Sequence, residues 1–257
     1  MKAIFDTHVH YDDEAFDEDR DELIKSLAER GVAKAVDVGA SISSSRRARD
    51  IAAAYPDIFF SAGVHPEDVP ELEKAGLDEI RQLLKEEKCV ALGEIGLDYH
   101  WKDVAPELQK HWFEEQLKLA EESGKPVIIH SREAARDTAD MLHAHPAVKG
   151  VIHCFSYGRE MAREFLDMGY YIGIGGVLTY KNAKKLVKAA MDTPMERIVL
   201  ETDGPYLSPE PRRGKRNDSA NIIYVIVKLA QLKGISEEEV RAAAWENAHR
   251  LYGLSAS

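Results

Sequence analysis

The chain alternates short apolar runs with longer amphipathic segments from its first residues to its last. Strand-like runs lie near residues 3–10, 34–40, 58–65, 89–96, 126–131, 150–155, 170–176 and 197–203. Their β-branched residues and scarcity of charge are typical of parallel strands covered by helices. Helix-like segments lie near residues 19–30, 43–54, 77–87, 106–123, 132–143, 159–168, 181–190, 219–233 and 236–250. The chain is therefore predicted to repeat a strand–helix unit.

Eight such units in 257 residues are the content of a (β/α)8 TIM-type barrel. The alternative is an open doubly wound sheet, whose binding site would lie at a single switch point. No linker, low-complexity tract or break in composition divides the sequence. We therefore predict an α/β fold in which residues 1–257 form one single-domain barrel.

The composition, with 44% hydrophobic and 31% charged residues, is that of an ordinary soluble globular protein. No apolar run approaches the ~20 residues of a membrane span, and a strand-like run stands where a signal peptide would begin. We therefore predict a cytoplasmic protein without a membrane partner. A net charge of −11 argues against a broad nucleic-acid-coating surface but leaves room for a small basic patch. Cys89 and Cys154 are predicted to be buried free thiols, because a disulfide is unexpected in that compartment.

Residue types that bind metals recur at the carboxyl ends of the strand-like runs. They are His8 and His10 after the first run, His65 after the third, Glu94 after the fourth, His130 after the fifth, His153 after the sixth and Asp203 after the eighth. Because residues two apart on a strand share a face, His8 and His10 can face one pocket. The ring of positions predicts a single shared metal centre. The remaining histidines are predicted to lie on the surface, namely His100, His111, His143, His145 and His249.

Four histidines and two carboxylates exceed the set of about three protein ligands that one catalytic ion uses. The inventory therefore favours two ions bridged by Glu94. One ion is assigned to His8, His10, Glu94 and Asp203, and the other to Glu94, His130 and His153. Imidazole and carboxylate ligands suit Zn, Mn or Mg. Such a pair, typically ~3.5–4 Å apart, lowers the pKa of a shared water, so the predicted chemistry is metal-assisted hydrolysis with Asp203 as a candidate base.

Six short motifs occur in a fixed order along the chain. They are Asp6-Thr7-His8-Val9-His10, Gly63-Val64-His65-Pro66, Gly93-Glu94-Ile95-Gly96-Leu97-Asp98-Tyr99, Ile129-His130-Ser131-Arg132, His153-Cys154-Phe155-Ser156 and Glu201-Thr202-Asp203-Gly204-Pro205-Tyr206-Leu207. Together they resemble the TatD family of metal-dependent deoxyribonucleases in the amidohydrolase superfamily. The resemblance implies a (β/α)8 barrel with a two-metal site on the residues above. It also implies hydrolysis of phosphodiester bonds in DNA, by a 3′–5′ exonuclease that favours single strands.

The resemblance also suggests residues that contact the substrate. His65 is expected near the scissile phosphate, or else as a support for the metal ligands, and Arg132 is expected to neutralise phosphate charge unless it forms a surface salt bridge. Asp98 and Tyr99 are expected to orient Glu94 or to line the groove.

The loops near the predicted site add a basic run and several aromatic residues. Arg213 and Arg216 belong to the basic run at residues 212–216, which either contacts phosphates or is a solvated face. Tyr206, Trp101 and Tyr157 could stack on unpaired bases or anchor their loops. Residues 157–158 and 211–219 depart from the family pattern, so the choice of polymer is the least constrained prediction.

The leading hypothesis is thus a divalent-metal-dependent nuclease that acts on DNA ends, with Glu94, Asp203 and His65 in catalytic roles. No obligate protein partner is evident from the sequence. The alternative enzyme is a two-metal hydrolase of small amides, esters or phosphoesters. A non-enzymatic adaptor with structural metals is a third hypothesis, which a barrel of this size disfavours because it does not need metals to fold.

Overall fold

The computed structural model describes residues 3–255 and shows a barrel of eight parallel strands in that range. The strands are β1 (Ile4–Val9), β2 (Val32–Val38), β3 (Ile58–Ala62), β4 (Cys89–Asp98), β5 (Val127–Arg132), β6 (Gly150–Ile152), β7 (Tyr171–Ile174) and β8 (Ile198–Leu200). Each strand pairs with the next one along the chain. Val9 forms a parallel bridge with Gly204, and the Asp203 N–H donates to the His8 carbonyl at 2.9 Å, which closes the ring. The predicted fold class is confirmed.

Helices follow the strands and cover the barrel. Among the described residues they are α1 (Arg20–Ser26), α2 (Ile42–Ala54), α3 (Lys74–Leu83), α4 (Pro106–Ser123), α5 (Ala135–Ala144), α6 (Arg159–Asp167), α7 (Lys184–Asp192), α8 (Ile222–Lys233) and α9 (Glu237–Tyr252). Their ends carry the expected signals: Ser236 and Glu239 form a capping box before α9, and Gly124 ends α4 in the left-handed conformation. None of the helices in residues 3–255 is long and apolar enough to cross a bilayer.

Apolar side chains from seven of the strands join in a cluster that ends on helix α9. Residues from all round a ring of strands can meet only inside it, so this cluster fills the barrel and α9 closes one end. Phe5 of β1 packs there against Trp245 and Tyr252, with ring centroids 6.2 and 6.1 Å apart. Apolar burial therefore holds one end of the barrel shut and leaves the opposite end for polar groups.

Two predicted surface histidines are buried, contrary to the sequence analysis. His249 packs edge-on against Phe5 and its Nδ1 donates to the Trp245 carbonyl at 2.7 Å. His145 contacts Glu121 and Glu114, each at 3.0 Å. Both histidines were placed on the surface because they fall in helical or loop sequence, where periodicity does not reveal a polar partner.

The two cysteines are free, as predicted, but only Cys89 is buried, whereas Cys154 is partly exposed. Cys89 is buried in β4. Cys154 lies just beyond β6 rather than within a strand, and it borders the cavity at the open end of the barrel.

Candidate metal centre

A cavity of about 830 Å³ opens at the carboxyl ends of the strands. Its floor carries side chains from four of them or from the residues just beyond: His10 after β1, Glu94 in β4, His130 in β5 and His153 after β6. Asp203, beyond β8, completes the ring. Loops at this end of a barrel carry the active site in characterised enzymes of the fold.

The carboxylate of Glu94 lies between two pairs of imidazoles. Its Oε2 is 3.4 Å from Nε2 of His8 and 3.8 Å from Nε2 of His10. Its Oε1 is 2.8 Å from Nδ1 of His130 and 3.2 Å from Nε2 of His153. Each carboxylate oxygen thus faces one imidazole pair, which is the arrangement expected of a carboxylate that bridges two ions.

Asp203 joins the pair that faces Oε2. Its Oδ1 is 3.5 Å from Nε2 of His8 and 3.4 Å from Nε2 of His10. The structure therefore brings together the two ligand sets that the sequence analysis assigned to two ions. The backbone of Asp203 is left-handed, with φ of 58°, which is uncommon for a residue other than glycine.

The donor set fits divalent cations. The Nε2 atoms of His8 and His10 are 3.1 Å apart, so their lone-pair positions converge on a common point. The described cavity lining holds seven carboxylates, from Asp12, Asp13, Glu67, Asp68, Glu94, Asp98 and Asp203, but only one arginine or lysine, Arg132. Three of these acids, Asp12, Glu94 and Asp98, are buried, and carboxylates buried this close together call for a cationic partner. Mixed imidazole and carboxylate ligands suit divalent ions such as Zn, Mn or Mg.

The electrostatics keep the two central acids ionised. Burial opposes ionisation of Glu94, but its interactions with His153 and His8 and its hydrogen bond to His130 hold its pKa well below the ordinary value. Burial likewise opposes ionisation of Asp203, whose pKa is lowered by its hydrogen bond to His10 and by the neighbouring imidazoles. Both carboxylates are therefore available as anionic ligands at neutral pH.

Of the four histidines around Glu94, two place one ring nitrogen beside a hydrogen-bond acceptor. Nδ1 of His10 lies 2.8 Å from the Val38 carbonyl, which can only accept, so this nitrogen carries the proton. Nε2 of His130 lies 2.9 Å from Oδ2 of Asp98. Such contacts fix the orientation of a metal-binding imidazole and raise its basicity.

Of the two predicted roles, orienting Glu94 or lining the groove, Asp98 takes the second and Tyr99 takes neither. Asp98 lines the cavity but holds His130 rather than Glu94, and Tyr99 turns away to donate a 2.7 Å hydrogen bond to Asp137 in α5. The alternation of a strand could have separated the two residues, because neighbours on a strand point to opposite faces.

A buried acid at the start of the first motif also supports the centre. Asp6 accepts from the Thr202 hydroxyl at 2.5 Å and from the backbone N–H of Thr202 at 3.1 Å, and burial raises its pKa to about 7. It ties β1 to the segment that carries Asp203. Its position two residues before His8 was the available signal, since both side chains leave the strand on the same side.

The rim of the cavity carries four of the predicted substrate-side residues. His65 lies 3.9 Å from Oε1 of Glu94. Its Nδ1 accepts from the backbone N–H of Glu67 at 3.2 Å, and burial lowers its pKa to about 3. The guanidinium of Arg132 lies 5.5 Å from the centre of the Trp101 ring, within cation–π range. Tyr206 is 53% exposed and donates to Asp13 at 2.7 Å.

Three predicted substrate contacts lie elsewhere. Arg216 forms a two-pronged ion pair with Asp19, at 2.7 and 2.6 Å, and does not line the cavity. Arg213 stacks on Tyr180 with 4.1 Å from guanidinium to ring centre, also outside the lining. The Tyr157 hydroxyl bonds Ser131 at 2.9 Å and so anchors its loop. These positions were predicted from closeness in sequence to Asp203 or His153, and the loops turn them away.

The fold and the clustered imidazoles and carboxylates define a barrel of the metal-dependent hydrolase class. Residues 5–253 match the family model described as TatD related DNase, and the chain belongs to that family. The resemblance drawn from the six motifs is thereby confirmed.

Named relatives and a solved structure agree with this assignment. The chain is 39% identical to the uncharacterized metal-dependent hydrolase YabD of Bacillus subtilis, covering 98% of this chain and 100% of that protein. It is 34% identical to the 3′-5′ ssDNA/RNA exonuclease TatD of Cronobacter sakazakii, covering 99% of each. The crystal structure of YJJV, a TatD homologue of Escherichia coli, matches with a TM-score of 0.93 and 30% identity over 98% of both chains.

Proposed function

We propose that this protein is a divalent-metal-dependent nuclease that hydrolyses phosphodiester bonds in DNA, as a 3′–5′ exonuclease on single strands. The observation that carries the proposal is the Glu94 carboxylate, each of whose oxygens faces its own pair of imidazoles. The name of the Cronobacter sakazakii relative supports the polymer and the direction of cleavage.

In this proposal His8, His10 and Asp203 hold one ion, His130 and His153 hold the other, and Glu94 bridges them. When bound, such a pair supplies a water of lowered pKa and offsets negative charge on a transferring phosphoryl group. Asp203 is ionised and lies at the edge of the cluster, so it can accept the proton released by the attacking water.

His65 is assigned to the substrate phosphate. Because its Nδ1 accepts a backbone N–H and its pKa is low, the neutral ring carries its proton on Nε2. That nitrogen faces Glu94 and the cavity, where it can donate to a phosphoryl oxygen without adding charge.

Arg132 and Trp101 are assigned to the terminal nucleotide. Arg132 is the only arginine or lysine among the described residues that line the cavity, and its guanidinium is held beside the indole. A phosphate on the guanidinium and a base on the exposed indole face would bind one nucleotide unit, and base stacking contributes ~1–3 kcal/mol. Tyr206 is exposed and also lines the cavity, and it is assigned as a second stacking surface.

The assay compares single-stranded oligonucleotides of the same sequence labelled at the 3′ or the 5′ end, with Mg, Mn or Zn supplied. We expect immediate loss of the 3′ label and a descending ladder from the 5′ label, while a single-stranded circle stays intact. Glu94→Gln, purified in parallel, controls for a contaminating nuclease. A degraded circle would contradict the exonuclease mode, and two intact linear substrates would contradict the nuclease assignment.

One observation favours a second candidate, a hydrolase of small esters or phosphoesters. A single arginine lines a cavity that holds seven carboxylates, so the described cavity offers little positive charge to bind a long polyanion such as DNA. Turnover of p-nitrophenyl esters or phosphodiesters with intact oligonucleotides would support this alternative.

A further inference from the structure

The rings of His8 and His153 are stacked in the proposed metal centre, with centroids 3.7 Å apart and planes at 15°. Their Nε2 atoms face the two oxygens of Glu94, at 3.4 and 3.2 Å. Their Nδ1 atoms are both buried, and neither makes a hydrogen bond with the described residues. In contrast to His10 and His130, these two imidazoles have no evident partner on the ring nitrogen that faces away from Glu94.

Glu201 is a buried acid beside both rings. Its Oε1 is 3.5 Å from Nδ1 of His153, and an oxygen of Glu201 and a ring nitrogen from each histidine lie within 4.8 Å of one another. The backbone N–H of Cys154 donates to the same Oε1 at 2.5 Å, which fixes the carboxylate. Oε2 is buried without a hydrogen bond among the described residues.

The barrel makes room for this carboxylate at Gly173 in β7. A Cβ at residue 173 would lie 2.5 Å from Oε2 of Glu201. Glycine weakens the interior of a strand, so its presence there has a structural reason: any side chain would occupy the space of the acid. The space for the Glu201 carboxylate thus depends on the absence of a side chain at Gly173 in β7.

We propose that Glu201 is the shared positioning residue of the metal centre and accepts Nδ1–H from both His8 and His153. Both neutral rings are then held with their protons on Nδ1 and their Nε2 lone pairs directed at the ions. Since His8 belongs to the set on Oε2 of Glu94 and His153 to the set on Oε1, one buried acid supports both ions. Glu201 itself touches neither substrate nor ion.

This inference rests on the proposed two-metal centre, and its test uses no substrate. Apoprotein is titrated with Zn²⁺ in competition with a chromogenic chelator, for the wild type, Glu201→Ala, Glu201→Gln and Gly173→Ala. We expect two ions in the wild type and about 10–100-fold weaker binding of both in the Glu201 variants, as for other acids that orient metal-binding histidines. Gln has the size of Glu but directs an NH₂ donor at a ring N–H, so it should not restore affinity. Gly173→Ala keeps the acid and displaces it, so it should also weaken binding.

Glu67→Gln is the matched control. It removes one negative charge from the same cavity, but near His65 rather than behind His8 and His153. Zn²⁺ affinity within about threefold of the wild type is expected for it. Equal weakening in Glu67→Gln and Glu201→Gln would mean that only the overall charge matters, and would overturn the positioning role.

A spectroscopic readout separates positioning from a general structural role. In the Zn²⁺-loaded wild type, long-range ¹H–¹⁵N spectra should show protonated Nδ1 on His8 and His153, with slow solvent exchange. In Glu201→Gln and Glu201→Ala that exchange should be at least about tenfold faster.

The outcomes are distinct for the two proposals. A wild type that binds fewer than two ions overturns the metal centre. A two-ion wild type whose affinity and exchange are unchanged in the Glu201 variants overturns this inference alone. If Glu201→Ala fails to fold by circular dichroism, the Gln and Gly173→Ala variants decide in the same way.

Discussion

One carboxylate with two differently engaged oxygens organises the candidate site. Glu94 and the other five ligand candidates could be predicted from the sequence, because strand ends in a barrel converge whatever lies between them. The sequence could not supply the partners behind them. The pairing of Asp98 and Glu201 with particular imidazoles can be assigned only when the orientation of each ring is known. That orientation depends on contacts between strands that are distant in sequence.

Glu94→Gln should remove turnover and most bound metal while leaving the barrel folded. The amide keeps the volume of the side chain but loses the charge that both imidazole pairs face, so both ions are affected. We expect at least about a 10³-fold loss of hydrolysis, comparable with removal of a central catalytic group. Metal analysis of the dialysed protein, together with its circular dichroism spectrum, checks the prediction. Two tightly bound ions in this variant would contradict the bridge.

Asp98→Asn should have a graded effect, because His130 is the one proposed metal ligand that the Asp98 side chain contacts among the described residues. One ion is expected to bind about 10–100-fold more weakly, and the ion held by His8 and His10 should keep its affinity. The two steps of a Zn²⁺ titration would report this directly. Equal weakening of both binding steps would show that Asp98 affects both ions rather than the ion held by His130 alone.

Among the secondary-structure elements, the eight strands and the α-helices lie near the predicted positions, but the ends of several strands do not. The runs near 150–155 and 197–203 form ladders over only three residues each, in β6 and β8. Beyond those points the chain leaves the strand to present His153 and Asp203. Gly96 shows a related limit: a Cβ there would lie 1.9 Å from the His130 carbonyl, and no sequence pattern reveals so close an approach between β4 and β5.

The contact between α4 and the end of α5 should make stability depend on pH. Burial opposes charging of His145, but its hydrogen bonds to Glu114 and Glu121 raise its pKa above the ordinary 6.5. Because the folded-state pKa is the higher one, the stabilisation is complete below 6.5 and is lost as pH rises through the folded-state value. The glutamates are partly exposed, so the contribution should not exceed about 1 kcal/mol.

Urea unfolding of the wild type and His145→Gln between pH 5.5 and 8.5 measures this contribution. The difference between them should be largest at pH 5.5 and should shrink towards pH 8.5. The double variant Glu114→Gln/Glu121→Gln serves as the partner control and should reduce the same dependence of the free energy of unfolding on pH. A difference that grows with pH would have the wrong sign for a raised pKa.

For the molecule as a whole, a net charge of −11 and a cavity with seven carboxylates lead us to expect that cation binding raises the free energy of unfolding. The total charge follows from the sequence, but the gathering of so many acids around one cavity does not. Zn²⁺ at about 100 times its dissociation constant should stabilise the fold by ~2.7 kcal/mol for each site, and a chelator should reverse the gain. Thermal melts of wild type and Glu94→Gln, each with and without Zn²⁺, check this. A metal-dependent rise in Tm of equal size in the variant would contradict it.

Binding of single-stranded DNA should depend weakly on salt, because the cavity offers one arginine to the backbone. Each phosphate neutralised contributes about −0.7 to the slope of log K against log salt for single strands, so a slope near −1 is expected. Fluorescence anisotropy with a hydrolysis-resistant phosphorothioate oligonucleotide measures it. Arg132→Ala should reduce the slope by about 0.7, whereas Arg216→Ala should leave it unchanged, since that guanidinium is already paired with Asp19. A slope near −3, as four phosphate contacts would give, or a loss in Arg216→Ala equal to that in Arg132→Ala, would show that the strand follows the basic run at residues 212–216 instead of the Arg132 side of the cavity.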